Sequence, residues 1–161
     1  MNIFYLHKDP AKAANAQYNK HVVKMILESA QLLCTAHLIV DGDNANVPYK
    51  ATHKNHPSAI WARESLSNYY WLYDHMIALG KEYTKRYGKE HLTIAKCKEP
   101  LKLAPKALLK LEPTEMPQCM PDAYKVLGNS VKAYWNYYIA EKSNICNVKT
   151  EKLYTTQPIL D

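Results

Sequence analysis

Phenylalanine is nearly absent: there is one, against 13 tyrosines and 3 tryptophans in 161 residues. Tyr and Trp carry a polar edge that Phe lacks. Their excess points either to buried rings whose polar tips find partners or to a wet surface that stacks on planar ligands. Long apolar runs are missing as well. No stretch of about 18 apolar residues occurs, so no membrane partner is expected. The opening MNIFYLH has no basic segment ahead of an apolar stretch, so no signal peptide is expected. Cys34, Cys97, Cys119 and Cys146 lie far apart and form no CxxC pair. A reducing, cytoplasmic setting without disulfides or a zinc knuckle is the expectation, with Cys34 a reduced thiol in the core. Repeats and low-complexity runs are absent, and β-branched residues alternate too little to build a sheet.

What is present suits a helical protein. With 47% apolar residues the chain is long enough for one domain with a real core, so a single compact helical domain over residues 1–161 is expected. Residues 1–8 read as an apolar, strand-like opening. Asp9-Pro10 is a helix start, a capping Asp followed by Pro at the first helical position, for a short helix over 10–18. The main helix is expected over about 20–39, from the spacing of Val22, Ile26, Ala30 and Leu33. Pro57 starts a long helix that Gly88 ends, with a bend near Ser67; a short one covers 89–97. A proline-rich loop region follows, with one short helix at 106–111. Asn129-Ser130 caps a last helix, and the final dozen residues read as a tail.

Three clusters are candidates for chemistry. Positions i, i+3 and i+7 share a helix face, so His21, Lys24 and Glu28 form one stripe, prolonged by Gln31 and Thr35. A solvated face with a Lys24–Glu28 pair is one reading, contributing about a few tenths of a kcal/mol. The other is an active-site wall, because a partly buried carboxylate beside an amine suits acid–base work. The second cluster is THKNHP, just before a helix N-terminus that attracts anions. His53, Lys54, Asn55 and His56 are phosphate-contact candidates, with Arg63 beyond them. Read as metal ligands, His53 and His56 lack a neighbouring carboxylate; read structurally, Asn55-His56-Pro57 is a turn and cap. The third is YWNYYIAEK. Tyr134, Trp135 and Tyr138, interleaved with Lys132 and Lys142, suit base stacking and backbone contact, or else a helix packed through Trp135 with tyrosines at its rim. The net charge of +6 favours polyanionic partners.

In order, MNIFYLH, a helix carrying Glu28, YKATHKNHPSAIW, a long aromatic helix ending in EYTKRYG and the late YWNYY resemble the phage pyrimidine-dimer DNA glycosylase family, the endonuclease V type. YKATHKNHPSAIW is similar to the YKNHP stretch of bacterial relatives. The resemblance covers most of the chain loosely and residues 100–125 not at all. It implies a compact all-α protein that flips a nucleotide from duplex DNA, with an amine attacking the sugar C1′ to give an imine. Glu28 would be the catalytic acid or base. No cofactor or metal is expected, and the expected setting is cytoplasmic, in an infected host cell for a phage-encoded protein. The family's nucleophile is an N-terminal α-amine exposed after methionine removal, with threonine at position 2, and arginine precedes its glutamate. Here those positions hold Asn2 and Leu27.

The first expectation is therefore a DNA base N-glycosylase, with AP-lyase activity where an imine forms, acting on a damaged or modified pyrimidine. Its nucleophile would be the α-amine of Met1 or the Lys24 amine. Met1 is favoured, because a neighbouring carboxylate holds a lysine in its charged form whereas a nucleophile must be neutral. The alternatives are a protein that sequesters a nucleotide or cyclic oligonucleotide without chemistry, and a metal hydrolase built on His21, His53 and His56.

Overall fold

The computed structural model describes residues 2–159, and every regular element among them is helical. The order is α1 Pro10–Asn15, α2 Asn19–Val40, α3 Pro57–Ala62, α4 Leu66–Tyr87, α5 Leu92–Cys97 and α6 Ser130–Lys142, with single 3-10 turns at Asp122–Tyr124 and Ser143–Ile145. Asp9 caps α1 as its position suggests, Oδ1 accepting from the amides of Ala11 and Lys12 at 2.8 and 3.2 Å. Gly88 ends α4 in the left-handed region, φ 74°, where a side chain would be strained. The first amide of α2, on Asn19, has no local cap. It donates instead to the Glu151 carboxylate, brought back from the end of the chain.

Two expected helices are different in the fold. The single helix from Pro57 to Gly88 is two, because Ser65 restarts it: the Ser65 hydroxyl accepts from the Asn68 amide at 3.1 Å. Asn68 fastens the break. Its Nδ2 donates to Trp61 O at 2.9 Å and to the Thr114 hydroxyl at 2.7 Å, and its Oδ1 accepts from Thr114 N at 3.0 Å. The helix expected at 106–111 does not form. The Asp41 carboxylate takes the amides of Lys106 and Ala107, at 2.8 and 2.9 Å. The carbonyls of Lys110 and Leu111 accept from Leu66 N and from the Ser67 hydroxyl in the first turn of α4, at 2.7 and 2.6 Å. Backbone groups committed to α2 and α4 in this way are not free to close a local helix.

At the centre α2 packs on α4, α3 and α5, while α1 lies on α4. By length and composition α2 is apolar enough to cross a membrane, but 61% of that window is buried inside the fold. Where α4 meets α5 the approach is close: a Cβ on Gly80 would stand 2.7 Å from Ile94 Cγ1.

The aromatic composition now has a physical explanation. Each tryptophan indole donates to a backbone carbonyl in a non-helical segment: Trp61 to Thr114, Trp71 to Lys8 and Trp135 to Leu6, at 3.0, 2.7 and 2.7 Å. Tyr69 and Tyr73 do the same for Leu101 and Lys98, each at 2.7 Å. Long irregular segments carry many backbone groups that no helix satisfies, and buried Tyr and Trp supply both the apolar ring and the missing partner. Phenylalanine would supply only the first.

The first residues and α6 form one layer together. Ile3, Phe4 and Leu6 are buried, and α6 closes over them through Tyr134, Trp135 and Tyr138. Phe4 lies edge-on to Tyr138, with ring centres 5.2 Å apart. The expected tail is not free. Tyr154 N donates to the Tyr18 hydroxyl at 3.0 Å, and its ring packs against Trp135 at 5.0 Å.

Candidate functional site

The stripe on α2 organises the candidate site. His21 marks one end and Thr35 the other, 14 residues or about 21 Å along the helix, a length near six base steps of duplex DNA. Glu28 sits between them. Its side chain is 15% exposed and its Oε2 is buried, while Lys24 Nζ stands 3.9 Å away on a side chain that is 72% exposed. The lysine ammonium stays in water and lacks the desolvation that an amine nucleophile uses.

At the first end, His21 is a core residue rather than an acid–base group. Its ring stacks on Phe4 with centres 4.4 Å apart, and Nδ1 shares a hydrogen bond of 2.9 Å with the Tyr138 hydroxyl. Burial, reinforced by the nearby ammonium groups of Lys142 and Lys24, lowers its pKa to about 4, so the imidazole is neutral at pH 7. Lys142 also lies over the Tyr137 ring at 5.2 Å, within cation–π range. Two ammonium groups thus flank this end of the stripe.

At the other end, the Thr35 hydroxyl accepts from Thr52 N at 3.1 Å and ties the basic loop to α2. His53 follows with φ 49°, an uncommon conformation for a residue with a side chain. Neighbours hold it there: its carbonyl accepts from His56 N at 2.9 Å, its Nδ1 pairs with the Thr52 hydroxyl at 2.8 Å, and Arg63 Nη2 donates to Lys54 O at 2.8 Å. His53, Lys54 and Asn55 are exposed. His56 is not open to a ligand through Nδ1, which accepts from Ser58 N at 3.1 Å as the cap of α3. Partial burial lowers the pKa of His56 and that of Arg63. Arg63 Nη1 is buried without a hydrogen-bond partner.

The stacking role expected for Tyr134, Trp135 and Tyr138 is not available to them. All three rings are buried, at 0%, 1% and 0% exposure. Tyr134 donates to Pro117 O at 2.9 Å and lies within 3.0 Å of Asn2 Oδ1, Trp135 is bonded to Leu6, and Tyr138 accepts from Tyr18 N at 2.8 Å. Burial raises the pKa of both tyrosine hydroxyls.

Met1, put forward as the nucleophile, lies outside the described residues. Asn2 beside it is anchored from both ends of its amide: Nδ2 donates to Cys119 O at 3.0 Å, and Oδ1 accepts from Ile3 N at 2.8 Å. This anchor was missed in the sequence, where the only signal is an amide ahead of an apolar run. Among the described residues no group of three or more His, Cys, Asp or Glu is arranged to hold a metal ion. No protein-family profile, curated protein or solved structure matches the chain.

Proposed function

We propose that the protein is a DNA base N-glycosylase in which the exposed rim of the α2 stripe meets the duplex and Glu28 serves the chemistry. The observation that carries this reading is the stripe itself. A largely buried carboxylate stands between Lys24 and Lys142 at one end and a strained basic loop, His53 to Asn55 with Arg63 beside it, at the other. Cations at both ends of a stripe about 21 Å long suit a run of phosphates. A shielded carboxylate among them has no evident part in holding phosphate, but it does suit proton transfer.

In this reading a neutral amine forms a bond to the sugar C1′ and the glycosidic bond breaks, its electron pair leaving with the base. Glu28 takes the proton released by the amine, or protonates the sugar oxygen as the ring opens to the imine. General acid–base catalysis of this kind contributes about 10²–10⁴ in rate. The α-amine of Met1 is the better candidate for the nucleophile, because the Lys24 amine is solvated.

The test is release of base from duplex DNA carrying damaged or modified pyrimidines, with borohydride present to trap an imine. Glu28→Gln keeps the shape of the side chain and is expected to lower turnover by about 10²–10⁴ while leaving Tm and DNA affinity nearly unchanged. Full activity in the variant refutes the role of Glu28. DNA binding by the wild type without release of any base replaces the enzyme with a sequestering protein.

A further inference from the structure

We propose that Leu127 is a wedge that enters duplex DNA where a nucleotide leaves the stack; this deepens the function proposed above and rests on it. Leu127 has 104% relative exposure, more than any other large apolar side chain described. Such exposure in a flexible loop would mean little, since a leucine there can fold back. Here the backbone is held. Asn129 N donates to Val126 O at 3.1 Å, closing a turn with Gly128 at its third position, φ 71°. The Gln118 amide grips Val126 on both sides: Nε2 donates to Val126 O at 2.6 Å and Oε1 accepts from Val126 N at 2.8 Å. On the far side the turn runs directly into α6, where Asn129 Oδ1 accepts from Lys132 N and the Ser130 hydroxyl donates to Met116 O, at 3.1 and 2.6 Å. Leu127 is thus a fully exposed apolar side chain on a hydrogen-bonded turn.

Its position links it to the start of the chain. Gln118, which holds the turn, adjoins Cys119, whose carbonyl accepts from Asn2. The wedge and the anchor of the N-terminal segment are therefore mounted on neighbouring residues of one strap. The turn stands between two shallow hollows of about 470 and 300 Å³; Lys125 lines the first and Lys8 the second. Lys8, Lys125 and Lys132 are all exposed. Glu115 lines both hollows, and Asp122 is paired with Lys125 at 2.9 Å. An apolar tip with lysines about it matches a base step between two phosphate strands, where inserted leucine side chains unstack bases and fill the space left behind.

The probe is a short duplex carrying an abasic-site analogue beside a fluorescent purine whose emission rises on unstacking. Wild-type protein is expected to raise that emission on binding. Leu127→Ala is expected to bind within about threefold of wild type, because phosphate contacts supply most of the affinity. Its emission gain should fall by about fivefold or more, and Leu127→Phe should restore it. An unchanged Tm verifies that the alanine variant is folded. A full gain in Leu127→Ala overturns the wedge and leaves DNA binding intact, as does wild-type binding without any gain. No binding of duplex at low salt removes the proposed function and the wedge with it.

Discussion

Replacing Tyr138 by Phe separates a structural ring from a stacking one. The ring is kept, so no cavity forms and any stacking on a base survives. Only the hydroxyl goes, and in this fold it accepts from Tyr18 N at 2.8 Å and bonds His21 Nδ1 at 2.9 Å. Tyr18 and His21 are 2% and 8% exposed, so water does not readily replace the lost partner. Two hydrogen bonds of about 1 kcal/mol each disappear, and leaving a buried group unsatisfied costs about 1–3 kcal/mol. Together the loss is about 3–5 kcal/mol. For a chain of this size 1 kcal/mol moves Tm by about 2–4 °C, so Tm should fall by about 6–20 °C. Calorimetry alongside a urea titration measures it, and the urea m-value should stay constant because the surface exposed on unfolding is the same. A Tm within about 1 °C of wild type refutes the reasoning, because it would mean that the hydroxyl is exchanging with water rather than holding α2 and α6 together.

Affinity for duplex DNA should fall with salt at a log–log slope of about 3, from Lys24, Lys54, Arg63 and Lys142 at about 0.7–0.9 each; a slope near zero in fluorescence anisotropy sinks the assignment of these cations. Acid should destabilise the fold before carboxylates titrate. Burial holds the pKa of both His21 and His75 at about 4, against an ordinary 6.5. Above 6.5 neither state is protonated and the stability is fully present; below it the unfolded chain gains protons that the fold refuses, until about 4. The loss is on the order of 3 kcal/mol for each histidine, and a Tm that is flat across this window rules the effect out. Glu151→Ala removes the carboxylate that meets Asn19 N at the start of α2 and should cost about 1–2 kcal/mol, read as a fall in urea midpoint; an unchanged midpoint means that water caps the helix equally well.

Local chemistry was legible from the sequence, and long-range partnership was not. Asp9-Pro10 and Gly88 act within a few residues of themselves, and both do in the fold what their types dictate. The break at Ser65 was within reach of a careful reading, since a serine three residues before Asn68 is a cap signal, but the helix formers on either side outweighed it. The missing helix at 106–111 could not be read locally, because Asp41 on a distant element decides it. The same holds for YWNYY. Four aromatics in five positions looked unable to share a core, and Tyr137 is indeed left half-buried at the rim. The other three found room because the opening segment provides a second apolar surface and carbonyls for their polar tips. Of the candidate residues, the structure sets His53, Lys54, Asn55 and Arg63 together beside the Thr35 end of α2, whereas His21 and the three buried rings belong to its packing.

The knitting of the two ends of the chain has a consequence for how the protein is made. The bonds from Tyr134 to Asn2, from Tyr18 to Tyr138 and from Tyr154 to Tyr18 close loops of 132, 120 and 136 residues. Closing loops of that length loses chain entropy before any contact compensates for it. The contacts among α1 to α5 are nearer in sequence and form at lower entropic cost. On a ribosome, α2 and α4 can pair before α6 has emerged, and His21, stacked on Phe4, gains its Tyr138 partner only after that. The flank that holds Lys142 against His21 is thus completed at the close of synthesis, so a partly made chain carries the Glu28 helix without its finished surroundings.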